Sequence, residues 1–152
     1  MLELKEITKS NFDEVVKLKV AANQEDFVST TVYSLAQAWV YKNTAFPFAI
    51  YADNLLVGFI MLGYYEIKNQ YTLWKFMIDE KYQNRGYGKK ALALAIKYLV
   101  NTFDNVKEVF TGVALHNTVA KKLYRSVGFE ETGEFDGCQL EMKLVIDSYY
   151  IE

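Results

Sequence analysis

The chain begins with alternating apolar and charged residues and then changes to a helical spacing. The alternation predicts a first strand to about Ile7. Ser10 is a suitable N-cap, and the apolar residues after it recur at helical intervals, which predicts a helix to about Ala22. Polar residues 23–26 interrupt this pattern, and a second helix is predicted from Ser34 to about residue 41.

The middle of the chain is rich in β-branched and aromatic residues. Pro47 is predicted to open a short strand over residues 48–51, and residues 52–54 have the composition of a hairpin turn. The continuous apolar run from Leu55 to Tyr65 predicts a longer strand, and another follows from Tyr71. These strands follow one another with short polar turns between them.

The remainder alternates between helical and strand patterns. A helix without Pro is predicted to about Phe103, then a strand over 106–115. Asn117 can cap a further helix that ends at Gly128. Asp136-Gly137 is a hairpin signal between two last strands, 129–135 and 138–145. The predicted order is therefore β-α-α-β-β-β-α-β-α-β-β, a single α/β (α+β) domain over residues 1–152 with a mixed sheet.

The stretch from Tyr71 to Leu99 organises this pattern, because it runs from a strand through a glycine-containing turn into a helix. The turn is Gln83-Asn84-Arg85-Gly86-Tyr87-Gly88, followed by Lys89 and Lys90. The first N–H groups of a helix have no intrahelical partner, and they attract anions. Glycine leaves room for a phosphate to approach the backbone. The sequence therefore predicts a site for a phosphate or pyrophosphate, although it matches neither a P-loop nor a complete dinucleotide fingerprint.

Charge is unevenly distributed along the 152 residues, although the net charge is only −2. Residues 75–125 hold ten basic and four acidic residues, whereas residues 126–152 hold one basic and seven acidic residues. The basic middle suits an anionic cofactor, and the acidic end could attract a cationic substrate. The overall balance argues against a nucleic-acid partner.

Other features of composition narrow the class of protein. The single cysteine, Cys138, excludes an intrachain disulfide and a metal site built from several cysteines, so no metal is predicted and a reducing cytoplasm is expected. The first ten residues are charged and show no secretory signal. No apolar run is long enough to span a membrane, so no membrane partner is expected.

The glycine turn resembles the pyrophosphate loop of the GNAT superfamily of N-acyltransferases, Gln/Arg-x-x-Gly-x-Gly/Ala. A second motif supports this resemblance: Asn117-x-x-Ala120-x-x-Leu123-Tyr124, followed by Gly128-Phe129, is similar to the family's Asn-x-x-Ala-x-x-Leu-Tyr…Gly-Phe pattern. The predicted order of elements is also the GNAT order. One departure is the segment Ala114-Leu115-His116 before Asn117, because many relatives read Glu-x-Pro-x-Asn there and this chain lacks both the acid and the proline.

The first half also resembles the polyamine (spermine/spermidine or diamine) acetyltransferase branch. The residues that carry this likeness are Asn23-Gln24-x-x-Phe27-Val28, Ser34-Leu35-Ala36-Gln37-Ala38-Trp39, Pro47-Phe48-Ala49-Ile50-Tyr51 and Phe76-Met77-Ile78-Asp79. The resemblance implies acetyl-CoA as cosubstrate and a small amine, such as a polyamine, as acceptor. It also leaves a homodimer open, because dimers are common in the family.

The resemblance assigns roles to particular residues. The predicted contacts to acetyl-CoA are Met77, Ile78, Gln83, Arg85, Gly86, Tyr87, Gly88, Lys89 and Asn117. A main-chain N–H at Met77 or Ile78 would polarise the thioester carbonyl. Tyr124, two helical turns after Asn117, would be the general acid that protonates the leaving thiolate.

The acceptor side is less well defined by the sequence. The predicted substrate contacts are the carboxylates of Glu25, Asp26, Glu134 and Glu141, and one of them could act as base directly or through water. His116 is interpreted as an exposed loop residue. Nothing near Cys138 suggests a nucleophile, so direct transfer in a ternary complex is expected. Two alternatives remain open: acetylation of another amine, such as an antibiotic or a peptide N-terminus, and a CoA-binding regulatory module without catalysis.

Overall fold

The computed structural model describes residues 1–151 and contains one seven-stranded sheet with helices on both faces. The strands are β1 (Leu2–Lys5), β2 (Ala45–Ala52), β3 (Leu55–Tyr65), β4 (Gln70–Ile78), β5 (Glu108–Ala114), β6 (Glu130–Asp136) and β7 (Gln139–Val145). The helices are α1 (Phe12–Val15), α2 (Thr31–Val40), α3 (Tyr87–Thr102), α4 (Thr118–Val127) and α5 (Ser148–Ile151). Short 3₁₀ turns span Ala22–Phe27 and Glu80–Tyr82.

The strand order across the sheet is β1-β2-β3-β4-β5-β7-β6, and every pair is antiparallel except β4 with β5. Successive side chains of β3 alternate between two hydrophobic clusters. Ile60 and Leu62 pack with α3 and α4, whereas Phe59 and Met61 pack with Val15 of α1 and residues of α2. Since successive residues of a strand point to opposite faces, both faces of the sheet are covered. The predicted α/β fold and the order of its first eleven elements are confirmed.

The first helix is much shorter than predicted, and Ser10 is not its cap. Asn11 occupies the N-cap position, but its side-chain oxygen accepts from the N–H of Thr8 instead of capping the helix. The chain leaves the helical path soon after Val15, because the backbone of Lys19 bonds to the end of β4. Its N–H donates to Asp79 Oδ2 at 3.0 Å, and its carbonyl accepts from Glu80 N at 2.7 Å. These tertiary bonds override the helical spacing of the sequence.

Two further boundaries differ from the predictions. α2 begins at Thr31 because Thr30 caps it, accepting from Tyr33 N at 3.1 Å; the predicted starting residue, Ser34, is buried within the helix. Pro47 lies inside β2 and not before it. β1 pairs only with residues 49–52 of β2, so Pro47 needs no N–H on that side. α5 was not predicted from the sequence.

β4 and β5 pair over only three residues. Tyr71, Thr72 and Leu73 lie opposite Val109, Phe110 and Thr111. The register of β4 against β3 also shifts at this point, leaving Trp74 without a cross-strand partner of its own, as in a β-bulge. The indole of Trp74 lies over Gly63, where any Cβ would fall 2.1 Å from the ring. Beyond the bulge, no strand in residues 1–151 pairs with β4 on the β5 side.

Candidate functional site

A cleft of about 870 Å³ opens where β4 and β5 separate. Its walls are the second half of β4, the glycine turn, the start and inner face of α4, and the 3₁₀ turn before α2. Of the residues predicted to contact a cofactor, eight line this cleft: Met77, Ile78, Gln83, Gly86, Tyr87, Gly88, Lys89 and Asn117. Tyr124 lines it as well. The structure therefore brings the two sequence motifs to one place.

The glycine turn presents free backbone groups to the cleft. Gly86 has φ of 80° and precedes α3, and nothing lies within 4 Å of the position where its Cβ would be. Gly88 instead allows close packing of α3 on α4, because a Cβ there would lie 3.2 Å from Leu123 Cδ2. No side chain caps α3, so its first N–H groups remain available to an anion.

Gln83 holds the turn against its neighbours. Its amide nitrogen donates to the carbonyl of Ile78 at 2.9 Å and to Gln24 Oε1 at 2.8 Å, which joins the turn to β4 and to the first 3₁₀ turn. Arg85, by contrast, is exposed and does not line the cleft. Its guanidinium lies 5.6 Å from the centre of the Tyr82 ring. The predicted role of Arg85 as a cofactor contact stays a prediction.

The backbone of β4 distinguishes between the two predicted carbonyl-binding groups. The N–H of Asp79 donates to Val57 O of β3 at 2.8 Å. Alternate residues of a strand direct their N–H groups to opposite sides, so the N–H of Ile78 points away from β3 and towards the open edge. The N–H of Met77 points towards β3. Of the two, Ile78 is the better placed to bond a carbonyl in the cleft.

Tyr124 lies at the point where the two strands separate. It is buried on α4, and burial raises the pKa of its phenol to about 12, although a hydrogen bond with Thr111 acts in the opposite direction. Thr111 Oγ1 donates to the carbonyl of Leu73, the last residue of β4 that pairs with β5, at 3.2 Å. The phenol is therefore protonated at neutral pH and can donate a proton or a hydrogen bond.

Asn117 caps α4 as the sequence predicted. Its Oδ1 accepts from Ala120 N at 3.2 Å, and the residue also lines the cleft. His116 is exposed in the preceding turn and does not line the cleft. Cys138 is exposed at the β6–β7 turn.

None of the four predicted acceptor carboxylates lines the cleft. Glu25 and Asp26 are exposed on the first 3₁₀ turn, whose neighbouring residues do line it, and Glu134 is exposed on β6. Glu141 Oε1 accepts from Thr132 Oγ1 at 3.0 Å, and its other oxygen lies 4.0 Å from Lys68 Nζ. The residues that do line the cleft include one carboxylate, Asp136. The sequence indicated Asp136 only as a turn residue.

Lys75 is a second cleft residue that was not predicted from the sequence. It is half-buried in the wall of the cleft, and its Nζ donates to Ser29 Oγ at 3.0 Å and lies 5.6 Å from the centre of the Tyr33 ring. Within residues 1–151, no carboxylate oxygen lies within 4 Å of it, and burial lowers the pKa of its ammonium group. A single lysine within the apolar run of β4 was the signal that could have identified it.

Residues 1–151 contain no cluster of three or more His, Cys, Asp or Glu able to hold a metal ion. Among the helices described, none is long and apolar enough to cross a membrane.

The chain that forms this cleft matches the model of a known family. The model of the acetyltransferase (GNAT) family matches residues 12–129. The chain belongs to this family. It is thus an acyl-CoA N-acyltransferase by class, and the resemblance predicted from the two motifs is confirmed.

Individual relatives support this assignment. The spermine/spermidine N(1)-acetyltransferase of Bacillus subtilis (strain 168) is 32% identical over 144 residues, covering 89% of this chain and 91% of the relative. The [ribosomal protein bS18]-alanine N-acetyltransferase of Haemophilus ducreyi is 26% identical over 125 residues, covering 82% of this chain and 80% of the relative. The predicted resemblance to the polyamine branch is confirmed by the first of these.

A solved structure shows the same fold. The spermidine N-acetyltransferase of Vibrio cholerae, crystallised with CoA and spermine, superposes with a TM-score of 0.75 at 21% identity, covering 99% of this chain and 98% of that one. The likeness extends over the whole sheet and its helices.

The glycine turn gives the first prediction. Gly86→Val should lower the affinity for acetyl-CoA at least tenfold, because the side chain would occupy the approach to the α3 N-terminus and φ of 80° disfavours a β-branched residue. The measurement is titration calorimetry with acetyl-CoA. Gly133→Val is the matched control, since Gly133 has φ of 87°, equally open surroundings and no place in the cleft. Equal affinities in the two folded variants would contradict the pyrophosphate assignment.

Proposed function

We propose that this GNAT enzyme transfers an acetyl group from acetyl-CoA to a primary amine of a polyamine or similar small amine, by direct attack in a ternary complex. The observation that carries this proposal is the open edge of β4, which ends at the glycine turn and faces Tyr124 across one cleft. Acetyl transfer needs a group that holds the phosphates, a donor that polarises the carbonyl and an acid that protonates the sulfur. The glycine turn, the open edge of β4 and Tyr124 meet these requirements in that order.

The cofactor end of the cleft fits CoA by its chemistry. The free N–H groups at the start of α3 suit a pyrophosphate, and Lys89 adds a positive charge beside them. The unpaired backbone of β4 suits the amide-bearing arm of CoA, because extended backbone can bond to amides as a neighbouring strand would. Asn117 stands on the opposite wall and contributes polar surface to the same arm.

The reaction itself is assigned to two groups of this chain. The N–H of Ile78 donates to the thioester oxygen, which becomes more negative as the amine attacks, so this bond strengthens in the transition state. The C–S bond then breaks, and Tyr124 donates its phenolic proton to the departing thiolate. The attacking nitrogen loses a proton to water or to a carboxylate at the acceptor end.

Carboxylates at the acceptor end of the cleft favour a cationic substrate. Asp136 lines the cleft, and Glu25 and Asp26 are exposed on the 3₁₀ turn that borders it. A polyamine carries several ammonium groups, and carboxylates around the opening can hold those that do not react. The 32% identity to a spermine/spermidine acetyltransferase supports the same class of acceptor.

Lys75 favours a second candidate acceptor. A half-buried ammonium group without a carboxylate partner in residues 1–151 repels a polyamine but would attract a carbonyl or carboxylate beside the reacting amine. A peptide N-terminus has such a group. The relative that acetylates a ribosomal-protein alanine gives this candidate further support.

A panel of amines tests the proposal directly. Thiol release from acetyl-CoA would be followed with spermine, spermidine, putrescine, a simple monoamine and an alanine-starting peptide. We expect the highest kcat/KM with a polyamine. Turnover of the peptide alone would select the second candidate, and no turnover with any amine in a protein that still binds acetyl-CoA would overturn catalysis in favour of a CoA-binding module.

Substitution of Tyr124 is predicted to affect the chemical step and not the binding of acetyl-CoA. Tyr124→Phe should retain the fold and the affinity for acetyl-CoA but lower kcat by about 10²–10⁴-fold, the contribution expected of a general acid. Since the pKa of Tyr124 is about 12, wild-type activity should show no alkaline loss from this group below pH 10. Tyr150→Phe is the control, because Tyr150 is also buried but lies outside the cleft. If Tyr124→Phe kept near-wild-type turnover, water and not Tyr124 would be the acid that protonates the sulfur.

The carboxylates give a prediction about the acceptor. Asp136→Asn, and separately Glu25→Gln with Asp26→Asn, should raise KM for spermidine several-fold while KM for acetyl-CoA stays the same, because an exposed ion pair contributes modestly. Added salt should weaken the wild-type enzyme in the same direction. Glu134→Gln is the control, since Glu134 is exposed on the same strand as Asp136 but does not line the cleft. An unchanged KM for spermidine in both variants would remove these residues from the acceptor site.

Lys75 gives a prediction about the polyamine acceptor. If the acceptor is a polyamine, Lys75→Met should lower KM for spermidine several-fold at low salt, because a repulsive charge is removed. Lys75→Arg keeps the charge and should leave KM close to the wild-type value. A higher KM for spermidine in Lys75→Met would mean that the lysine contacts the acceptor and not merely repels it.

A further inference from the structure

Lys75 is itself an amine, and it lies inside a cleft that is proposed to acetylate amines. Of the lysines in residues 1–151, Lys75 and Lys89 line the cleft. Lys89 is exposed beside the glycine turn, where a phosphate is expected, whereas Lys75 is half-buried in the wall formed by β4. Lys75 therefore stands in the part of the cleft that would hold the reacting end of acetyl-CoA, and the proposed transfer to a free amine gives it no chemical role.

The position of Lys75 along β4 brings it close to the groups proposed to act on the thioester. Leu73 is the last residue of β4 that pairs with β5, and its carbonyl accepts from Thr111 Oγ1, which also bonds to Tyr124. Lys75 follows Leu73 by two residues, about 7 Å along a strand, and precedes Ile78 by three residues, about 10 Å. The flexible four-carbon stem of a lysine lets its amine reach over much of this interval.

The side chain of Lys75 approaches the open edge from the face opposite to Tyr124. Lys75 lies across from Met61 of β3, which belongs to the hydrophobic cluster on the side of α1 and α2. Residues directly opposite each other share one face of a sheet, and the hydrogen bond from Lys75 Nζ to Ser29, just before α2, agrees with this. Tyr124 lies on α4 and belongs to the cluster on the other face. A thioester held along the open edge would have an acid on one side and the amine of Lys75 on the other.

The surroundings of Lys75 favour the neutral form of its amine, which is the form that attacks a carbonyl. Its partner, Ser29 Oγ, is a neutral hydroxyl and stabilises an ammonium group less than a carboxylate would. Within residues 1–151, no carboxylate oxygen lies within 4 Å of Lys75 Nζ. Burial lowers the pKa of the ammonium group, so a larger fraction of Lys75 is neutral at pH 7 than of a fully exposed lysine.

We propose that the enzyme acetylates its own Lys75 when acetyl-CoA is bound and no acceptor amine is present. The neutral Nζ forms a bond to the thioester carbonyl carbon, the C–S bond breaks, and the nitrogen loses a proton to water, which leaves an amide on Lys75. Tyr124 donates its proton to the departing sulfur, so that CoA leaves as the thiol, and solvent restores the proton to Tyr124. The inference rests on the proposed function, because acetyl-CoA is the acyl donor in both.

Acetylation of Lys75 changes the electrostatics of the acceptor end. An amide carries no charge, so the repulsion between Lys75 and the ammonium groups of a polyamine is removed, whereas Asp136 in the lining of the cleft keeps its charge. The modified enzyme should therefore bind a polyamine more tightly than the unmodified enzyme does. The state of one residue would then adjust the preference of the cleft for its acceptor.

Mass spectrometry of the whole chain tests the modification. After incubation with acetyl-CoA and no amine, the protein should gain the mass of one acetyl group, and peptide mapping before and after incubation should place it on Lys75. The rate should not depend on the protein concentration, because a half-buried lysine reacts within its own cleft. Lys75→Arg should abolish the gain. Lys122→Arg is the matched control and should keep it, since Lys122 is exposed on α4 and does not line the cleft.

A comparison with Tyr124→Phe separates an enzymatic step from spontaneous acetylation. This variant should modify Lys75 at least tenfold more slowly than the wild-type protein, because the acid for the sulfur is lost. Equal rates in the two proteins, or equal acetylation of Lys75 and Lys122 in the wild-type protein, would show a spontaneous reaction and would overturn the proposal.

Turnover of a free amine by the same preparation distinguishes the two proposals. A protein that acetylates spermidine but leaves Lys75 unmodified would overturn this inference and leave the proposed function in place. Modification of Lys75 without turnover of any amine would support the inference and overturn the proposed acceptor. When Lys75 is acetylated, KM for spermidine at low salt should fall several-fold, as expected for Lys75→Met. An unchanged or higher KM would overturn the proposed effect of the modification on acceptor binding.

Discussion

The separation of β4 from β5 after three paired residues is the constraint on which the site depends. Buried backbone N–H and C=O groups are costly to leave unpaired, so a strand that loses its neighbour must be offered another partner or water. Here the unpaired edge of β4 runs along a cleft of about 870 Å³. A substrate with amide and carbonyl groups can replace the missing strand. The binding site thus forms where the pairing between β4 and β5 stops, while the other strands of the sheet remain paired.

Several contacts hold the open strand in position. The bulge at Trp74 changes the direction of β4 where its pairing with β5 ends, and Gly63 on β3 makes room for the indole. At the other end, the buried carboxylate of Asp79 accepts from Lys19 N and Lys81 N at 3.0 Å, and Gln83 bonds to the carbonyl of Ile78. A turn restrained in this way loses little further conformational entropy when an anion binds.

The two ends of the cleft differ in their electrostatics. The glycine turn offers helix N–H groups and Lys89, whereas the proposed acceptor end combines Asp136 with Lys75 in the lining of the cleft. A cation placed among apolar residues costs free energy unless it is paired or hydrogen-bonded. Ser29 is the bonded partner that Lys75 has in the structure, and burial lowers the pKa of the lysine accordingly. The selectivity of the enzyme for its amine is therefore expected to depend on the balance between these two residues.

The sequence by itself determined the family, the order of the main elements and the residues around the glycine turn, because these are encoded locally. Gly86, Asn117 and Gly128 each occupy a backbone position that their residue type favours, so their places could be read without a structure. Only the tertiary structure decided where α1 ends, since the bonds from Lys19 to Asp79 and Glu80 join residues 60 and 61 apart along the chain. It also showed that Asp136 and Lys75 line the cleft and that Glu25 and Asp26 do not. Whether a side chain faces the cleft depends on strand register, a bulge and the docking of distant segments, and local pattern specifies none of these.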